Sequence, residues 1–496
     1  MKTKILVIIL LLLSLAMIIN SANAATIPIN SSNDFKNTIE NGENGTIFEL
    51  NSSVNEFSLN VENVVISIEN NITIKSSSPL KNAVINANKL GNVFIIEEGG
   101  SLTLINITIK NGFSRDGGAI ANGGTLTLTG CTFISNTASY SGGAIENVNT
   151  LIANYCTFTN NVAIAECGGA ISSGASVTLT ACTFTGNIAK NDSGSAIWMI
   201  YEGNLIATAC NFIGNTANKV GTVYNVYATV NLVNCIFTNN NAKTGSAIYN
   251  QEGTFTLTGC TFTSNIVSME DGISNSGNGA TQAHIYNYKS KTTLNKCNFL
   301  INPKLDFTSK ISKNKLIITA TAIDKATGQP IAGENIYFYD KGKKVGNATT
   351  NDKGVARFAY TLSKSGIHKF DVKINGFTYE ISTNKYIYSQ AINSKNLNII
   401  LRPAKIKLYQ SSTSKAIKNK GKKLYNKVYK YKNSGQSTGS KKFTINIGKK
   451  FKLYGKVTKS TNVSYKYNKK TRQITVNIKN LAYNKVSKLN FKIIQV

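Results

Sequence analysis

An all-β chain, a right-handed parallel β-helix followed by two β-sandwich modules, is what this sequence predicts. Three observations carry that expectation. Between residues 131 and 265 the phrase Cys-x-Phe-x-x-Asn occurs six times, from Cys131-Phe133-Asn136 to Cys260-Phe262-Asn265, with successive cysteines 25, 26, 28, 25 and 25 residues apart. Apolar residues inside each repeat fall at every second position, as in Leu126-Thr127-Leu128-Thr129, which is the period of a strand and not of a helix. Near Asn302 the composition changes: from there on stand 41 of the 55 Lys and Arg residues but only 7 of the 24 Asp and Glu.

Elements follow in chain order. Residues 1–24 read as a secretory signal, with Lys2 and Lys4, an apolar run from Ile5, and Ala22-Asn23-Ala24 as the cleavage site. The apolar run is short for a membrane span, so no transmembrane segment is expected in the mature chain. Residues 25–301 read as the β-helix. Its open end needs a cap, and Ser32 to Ile39 suit a short helix that lays Phe35 and Ile39 on the first coil.

Each repeat opens on a glycine-led tetrapeptide, from Gly117-Gly118-Ala119-Ile120 on, with Gly194-Ser195-Ala196-Ile197, Gly221-Thr222-Val223-Tyr224 and Gly245-Ser246-Ala247-Ile248 as looser copies. Gly, Asn and Ser cluster between the alternating runs, where turns need positive φ or a side chain that bonds its own backbone. Stacked coils bring equivalent residues about 4.8 Å apart. The phenylalanines then form an internal ladder, the cysteines a second, and the asparagines a third whose amides bond up and down the stack. Leu102, Leu104, Ile107 and Ile109 continue the register upstream, and Val64, Ile66, Ile68, Ile72 and Ile74 belong to an earlier coil. Around ten coils make a rod of about 50 Å.

Eight cysteines in an exported chain ordinarily suggest disulfides. Here seven sit on the repeat, and neighbours in a ladder have parallel Cβ vectors that suit the disulfide dihedral poorly. A reduced packing column is expected instead. Neither His284 nor His368 lies in that column, so no metal is assigned to it. Sequons such as Asn51-Ser52-Ser53 permit glycosylation without showing it.

Residues 302–400 alternate as short strands with turns between them, as in Ile336-Tyr337-Phe338-Tyr339 and Gly354-Val355-Ala356-Arg357-Phe358, which predicts one sandwich. Residues 401–496 predict another, in which tyrosine alternates with lysine: Lys427-Val428-Tyr429-Lys430-Tyr431 and Ser464-Tyr465-Lys466-Tyr467. Residues 381–496 contain no acidic residue.

The paired Gly-Gly-Ala-Ile and Phe-x-x-Asn motifs resemble the repeat of chlamydial polymorphic outer-membrane proteins, and more closely that of adhesin-like surface proteins of methanogenic archaea. Asp324 to Gly333 and Thr349 to Gly354 resemble bacterial Ig-like domains of invasin type, and residues 404–496 resemble Lys/Tyr-rich sandwiches of the same archaeal proteins. The resemblance implies surface display and adhesion, and names no ligand.

The function expected on these grounds is a secreted or surface-displayed adhesin-like protein. Its partner would be an anionic cell-wall polymer or extracellular polysaccharide, on its own envelope or on other cells. A cationic surface of this density draws polyanions in a salt-dependent way. Tyr429, Tyr431, Tyr465 and Tyr467 suit base stacking, but an exported chain is not expected to have a specific nucleic-acid partner. Two alternatives stay open, a carbohydrate-active enzyme on the same solenoid and a purely structural envelope component. Enzymes of that kind need clustered carboxylates. The acids of the repeats are Asp116, Glu146, Glu166, Asp192, Glu202, Glu252, Glu270 and Asp271, of which only the last two adjoin. Glu270 and Asp271 meeting Lys289 or Lys291 in one groove would favour an enzyme, and His284 reads as an isolated surface residue. The expectation is therefore no enzyme, no catalytic, cofactor-binding or metal-binding residue, and no cofactor.

Overall fold

The computed structural model describes residues 26–32, 35–60, 65–267, 284–325, 328, 330–381 and 384–496. The expected leader and the pair Glu270 and Asp271 lie outside them. The chain forms two compact units, one of residues 1–303, 323–329 and 375–390, the other of residues 304–322, 330–374 and 391–496.

The first unit is a parallel β-helix. A typical coil begins with Thr125–Thr129 on a first face and continues with Thr132–Ile134 on a second. A short rung, Thr137–Ala138, follows, and Ile145–Asn147 on a third face completes it. Among the described residues the first face counts 11 strands, the third nine and the rung seven. Corners are made by left-handed residues at recurrent positions, just before the cysteine (Gly130, Tyr155, Ala181, Ala209, Asn234, Gly259) and just before the asparagine (Ser135, Asn160, Gly186, Gly214, Asn239, Ser264). The tetrapeptide opens on glycine for the same reason: Gly142 has φ 65°, and a Cβ on Gly143 would stand 2.1 Å from the Gly169 carbonyl oxygen of the next coil.

The three expected ladders are present. Phe133, Phe158, Phe184, Phe212, Phe237, Phe262 and Phe299 stack with ring centroids 4.6 to 5.2 Å apart. All eight cysteines are buried free thiols. In the asparagine ladder Nδ2 of Asn136, Asn161, Asn187, Asn215 and Asn240 donates to the Oδ1 of the next coil and to a backbone carbonyl of the coil before, Ile109 for Asn136 and a phenylalanine for the others. Asn187, for example, donates to Asn215 Oδ1 and Phe158 O at 2.9 Å each, and its own Oδ1 accepts from Asn161. The ladder ends on His284, whose Nδ1 lies 3.3 Å from Asn265 Nδ2. This residue is not on the surface, as the sequence suggested. It occupies the inward alanine position of its coil, between Phe262 and Phe299, and burial pushes its pKa down to about 4, so it is neutral.

A second buried ladder, which the sequence reading missed, runs inside the third face. Asn122 donates to Asn147 at 2.6 Å, Asn147 to Ser173 at 2.8 Å, and Asn225 to Asn250 at 2.9 Å. Met199 interrupts it.

Both ends of the stack are covered. The helix Phe35–Glu40 forms as expected, with Phe35 and Ile39 buried and Phe35 against Phe57. At the other end Asn384–Tyr388 adds in parallel to Asn298–Ile301, and Phe377–Ile381 closes it as an antiparallel partner. Residues 375–390 thus belong to the solenoid.

The second unit holds antiparallel sheets. Pro303–Ser312, Lys315–Asp324 and Val355–Thr361 form one, and Lys343–Thr349, Asn335–Asp340, Gly366–Ile374 and Ala391–Ile399 form another. After residue 400 come a five-stranded and a three-stranded sheet around a core that includes Tyr431, Val476 and Phe491. Among the described residues no helix is long and apolar enough to cross a membrane.

Candidate carbohydrate site on the third face

The strand register places one outward residue per coil in a single column on the third face. In order these are Ala121, Glu146, Ser172, Trp198, Tyr224, Tyr249 and Tyr286. Each follows the inward Ile or Val of the tetrapeptide, and the pleat turns it outward. The copy at Gly221 departs from the expected alignment. Val223, not Tyr224, pairs with Ile197 and Ile248, because the coil is one residue shorter between Gly221 and the strand. That deletion puts Tyr224 on the outside.

Half of the column is an aromatic ridge. Tyr224 and Tyr249 meet edge to face at 5.5 Å, and Tyr249 and Tyr286 stack at 4.9 Å. Tyr224 Oη is fixed by Gln251 Oε1 at 3.0 Å. Beside the ridge lies a groove of about 340 Å³, lined among others by Glu166, Asp192, Trp198, Lys219, Tyr224 and Tyr249, within the size range of small-ligand sites.

In the other half Glu146 stands beside Asp116, which precedes the strand. Ser141 Oγ lies 3.0 Å from Glu146 Oε2 and 3.2 Å from Asp116 Oδ1. One hydroxyl hydrogen cannot serve two carboxylates at once. With Glu146 protonated, both contacts are satisfied as a relay in which Glu146 donates to Ser141 and Ser141 to Asp116. Electrostatics agree. Burial, foremost, pushes the Glu146 carboxyl up to about 7 and Asp116 adds to the rise, against the hydroxyls of Ser172 and Ser141. Asp116 is ion-paired with Arg115 at 3.2 Å, and Arg115 lies over the Tyr140 ring at 4.9 Å.

Further along, Asp192 is held by Lys219 and by Ser193 Oγ at 2.9 Å. Ligand atoms of Glu166, Cys167 and Asp192 lie within 4.8 Å of one another. These three fit a metal poorly. Asp192 already has the Lys219 ammonium as its cation, which leaves two of the three ligands where a site needs three or four.

The structure therefore gathers Asp116, Glu146, Glu166 and Asp192, which looked scattered in sequence, along one face. Glu202 and Glu252 do not line this groove. Lys289 pairs with Glu252 at 3.6 Å, and Lys291 lies on the first face. The signal was present in the sequence. Taken modulo the repeat, Asp116, Ser141, Cys167 and Ser193 all precede the left-handed glycine, and Glu166, Asp192 and Lys219 stand one position earlier.

No protein-family model matches the chain and no curated protein matches it, so the resemblance to chlamydial and archaeal surface repeats has no support beyond the β-solenoid itself. Among solved structures it is similar to an alginate lyase of family PL6, AlyGC, with 14% identity and a TM-score of 0.26, covering 55% of this chain and 41% of the lyase. It is also similar to the tailspike protein gp49 of Acinetobacter baumannii bacteriophage Fri1, a capsular polysaccharide depolymerase, with 11% identity and a TM-score of 0.24, covering 96% of this chain and 84% of that one. This chain thus spans less than half the length of the lyase. The expectation that the chain is not an enzyme is corrected here. The scatter of acids on which that expectation stood does not hold in space: Asp116 and Glu146 meet at Ser141, and Glu166 and Asp192 line one groove.

Proposed function

We propose that the chain binds a polysaccharide along the third face of the solenoid and cleaves it there, with Glu146 as the proton-carrying group. The observation that carries this reading is the column itself, in which the half-buried Glu146 carboxyl and a ridge of Trp and Tyr lie in one line. Aromatic faces bury the apolar side of a sugar ring while its hydroxyls stay hydrated. The coil spacing of about 4.8 Å is close to the length of one pyranose in an extended chain, so successive rings meet successive coils. A sugar chain stacked on Tyr286, Tyr249, Tyr224 and Trp198 runs on past the buried Ser172 to Glu146. A carboxyl with pKa near 7 is suited to protonate a glycosidic oxygen as its C–O bond breaks; in hydrolysis water then adds at the sugar carbon and its proton returns to Glu146, while the Asp116 charge, one hydroxyl away, helps to hold that proton. We place this activity outside the cell, consistent with the leader read in residues 1–24.

The test is a panel of neutral, uronate-containing and sulfated polysaccharides incubated with the full chain. New reducing ends mark hydrolysis, and unsaturated ends absorbing in the near ultraviolet mark elimination. At least one polymer is expected to shorten, and Trp198→Ala is expected to weaken its binding about tenfold or more, as for a buried aromatic anchor. Binding without shortening of any polymer sinks the cleavage step, and loss of neither binding nor cleavage in Trp198→Ala sinks the site.

A further inference from the structure

A second surface is set apart by charge. Residues 381–496 hold 26 lysines, two arginines and no acid. The five-stranded sheet of that region contains Ile406–Thr413, Lys422–Asn433, Val486–Gln495 and Phe451–Lys459. Its inner face is the core side, with Tyr431, Leu489, Phe491 and Ile493 buried. Alternation puts Lys430, Lys432, Lys488 and Lys492 on the outer face, joined through the register by Lys407 and Lys452. Lys430 stands directly across from Lys488, and Lys407 across from Lys432. Like charges in direct cross-strand pairs destabilise a sheet. None of these six lysines pairs with a carboxylate among the described residues. A covering anion would turn this cost into binding energy.

We infer that the outer face of this five-stranded sheet is a second binding site, for a linear polyanionic glycan bearing carboxylate or sulfate groups. It stands on different residues from the third-face column, and either reading survives failure of the other. A glycan suits the face better than a nucleic acid. Arginine forks that grip phosphate bidentately are nearly lacking. Of the exposed tyrosines on this sheet, Tyr409 has its ring covered by Lys432 Nζ at 5.2 Å, which leaves Tyr454, across from Lys492, as a single open ring where stacking of successive bases needs several. Ammonium groups about 4.8 Å apart from strand to strand match a polymer with a charge on every sugar.

The experiment uses the full chain and four probes: polygalacturonate, dextran sulfate, neutral dextran and duplex DNA. Lys430→Gln/Lys432→Gln/Lys488→Gln is compared with Lys310→Gln/Lys313→Gln/Lys353→Gln, which removes the same charge from other exposed sites. Wild type is expected to bind polygalacturonate, dextran sulfate or both, with affinity falling steeply as salt rises, and to leave neutral dextran free. The first triple variant should lose about tenfold or more at low salt and flatten the salt dependence, the second less than about threefold. Without ligand, the first variant should melt no lower than wild type, since like charges are relieved; this shows that it folds. Trp198→Ala should keep the interaction. Equal losses in the two triples, or binding to neither polyanionic glycan, would overturn the assignment. DNA held more tightly than both would replace the glycan with nucleic acid.

Discussion

Glu146→Gln is expected to lower polysaccharide cleavage by about 10²- to 10⁴-fold, the usual contribution of a positioned acid or base, while the chain becomes more stable above pH 7. The rate effect follows from the proton that Gln cannot give. The stability effect follows from linkage. The native carboxyl titrates at about 7 and its ordinary value is 4.5. Between these values the native state holds a proton that the unfolded chain has lost. The favourable contribution is therefore complete below about pH 4.5 and is lost as pH rises through 7, by up to about 3 kcal/mol. Gln keeps a neutral group at every pH and escapes that loss. Wild-type activity should fall along an alkaline limb near pH 7. Asp116→Asn should move that limb toward acid, because the Asp116 charge helps hold the Glu146 proton. Paired pH profiles and thermal melts at pH 6 and 8.5 check this. A Glu146→Gln enzyme with an unchanged rate would remove Glu146 from the chemistry, and unchanged alkaline stability would remove the buried carboxylate from the energetics.

Asn187→Ala is expected to be among the most destabilising single changes in the solenoid, about 3–5 kcal/mol. It leaves the Asn161 backbone N–H without its acceptor and takes the side-chain donor from Phe158 O. Asn161 Nδ2 also loses one of its two acceptors. Each buried orphan costs about 1–3 kcal/mol. Thr157→Ala, on the outward side of a neighbouring coil, should change stability by no more than about 0.5 kcal/mol. Stacked coils need not unfold as one unit, so amide exchange is the measurement of choice. Protection should collapse first in the coils around Asn161, Asn187 and Asn215. Uniform or negligible loss would mean that the ladder is ornamental to a stack held by its phenylalanines.

These two cases mark what the sequence made legible. The Phe, Cys and Asn ladders are identical residues at a fixed period, and identity survives small changes of coil length, so the eye finds them. The third-face column has no such identity. Glu146, Ser172, Trp198, Tyr224, Tyr249 and Tyr286 differ from one another, and only the register of their neighbours aligns them. A deletion of one residue after Gly221 was enough to hide Tyr224 among the inward residues. His284 stood in no repeat that the eye could extend, and so looked isolated, yet it fills a position that alanine holds in other coils. The carboxylates were far apart in sequence for the same reason that they are near in space, since one coil consumes about 25 residues and rises about 4.8 Å. Lysines of the second unit were legible as composition. Their placement on one outer face required the strand pairing.

Trp198 is the chain's one tryptophan and stands in the middle of the proposed column, so its emission reports on that face alone. Titrating the full chain with any polysaccharide that it retains, in high salt to suppress purely ionic contacts, tests the central claim directly. A saturable change in Trp198 emission, weakened in Tyr249→Ala and retained in Glu146→Gln, is the predicted result. A polysaccharide that binds at the same salt and leaves the emission untouched would contradict it, and would place the carbohydrate site elsewhere on the chain.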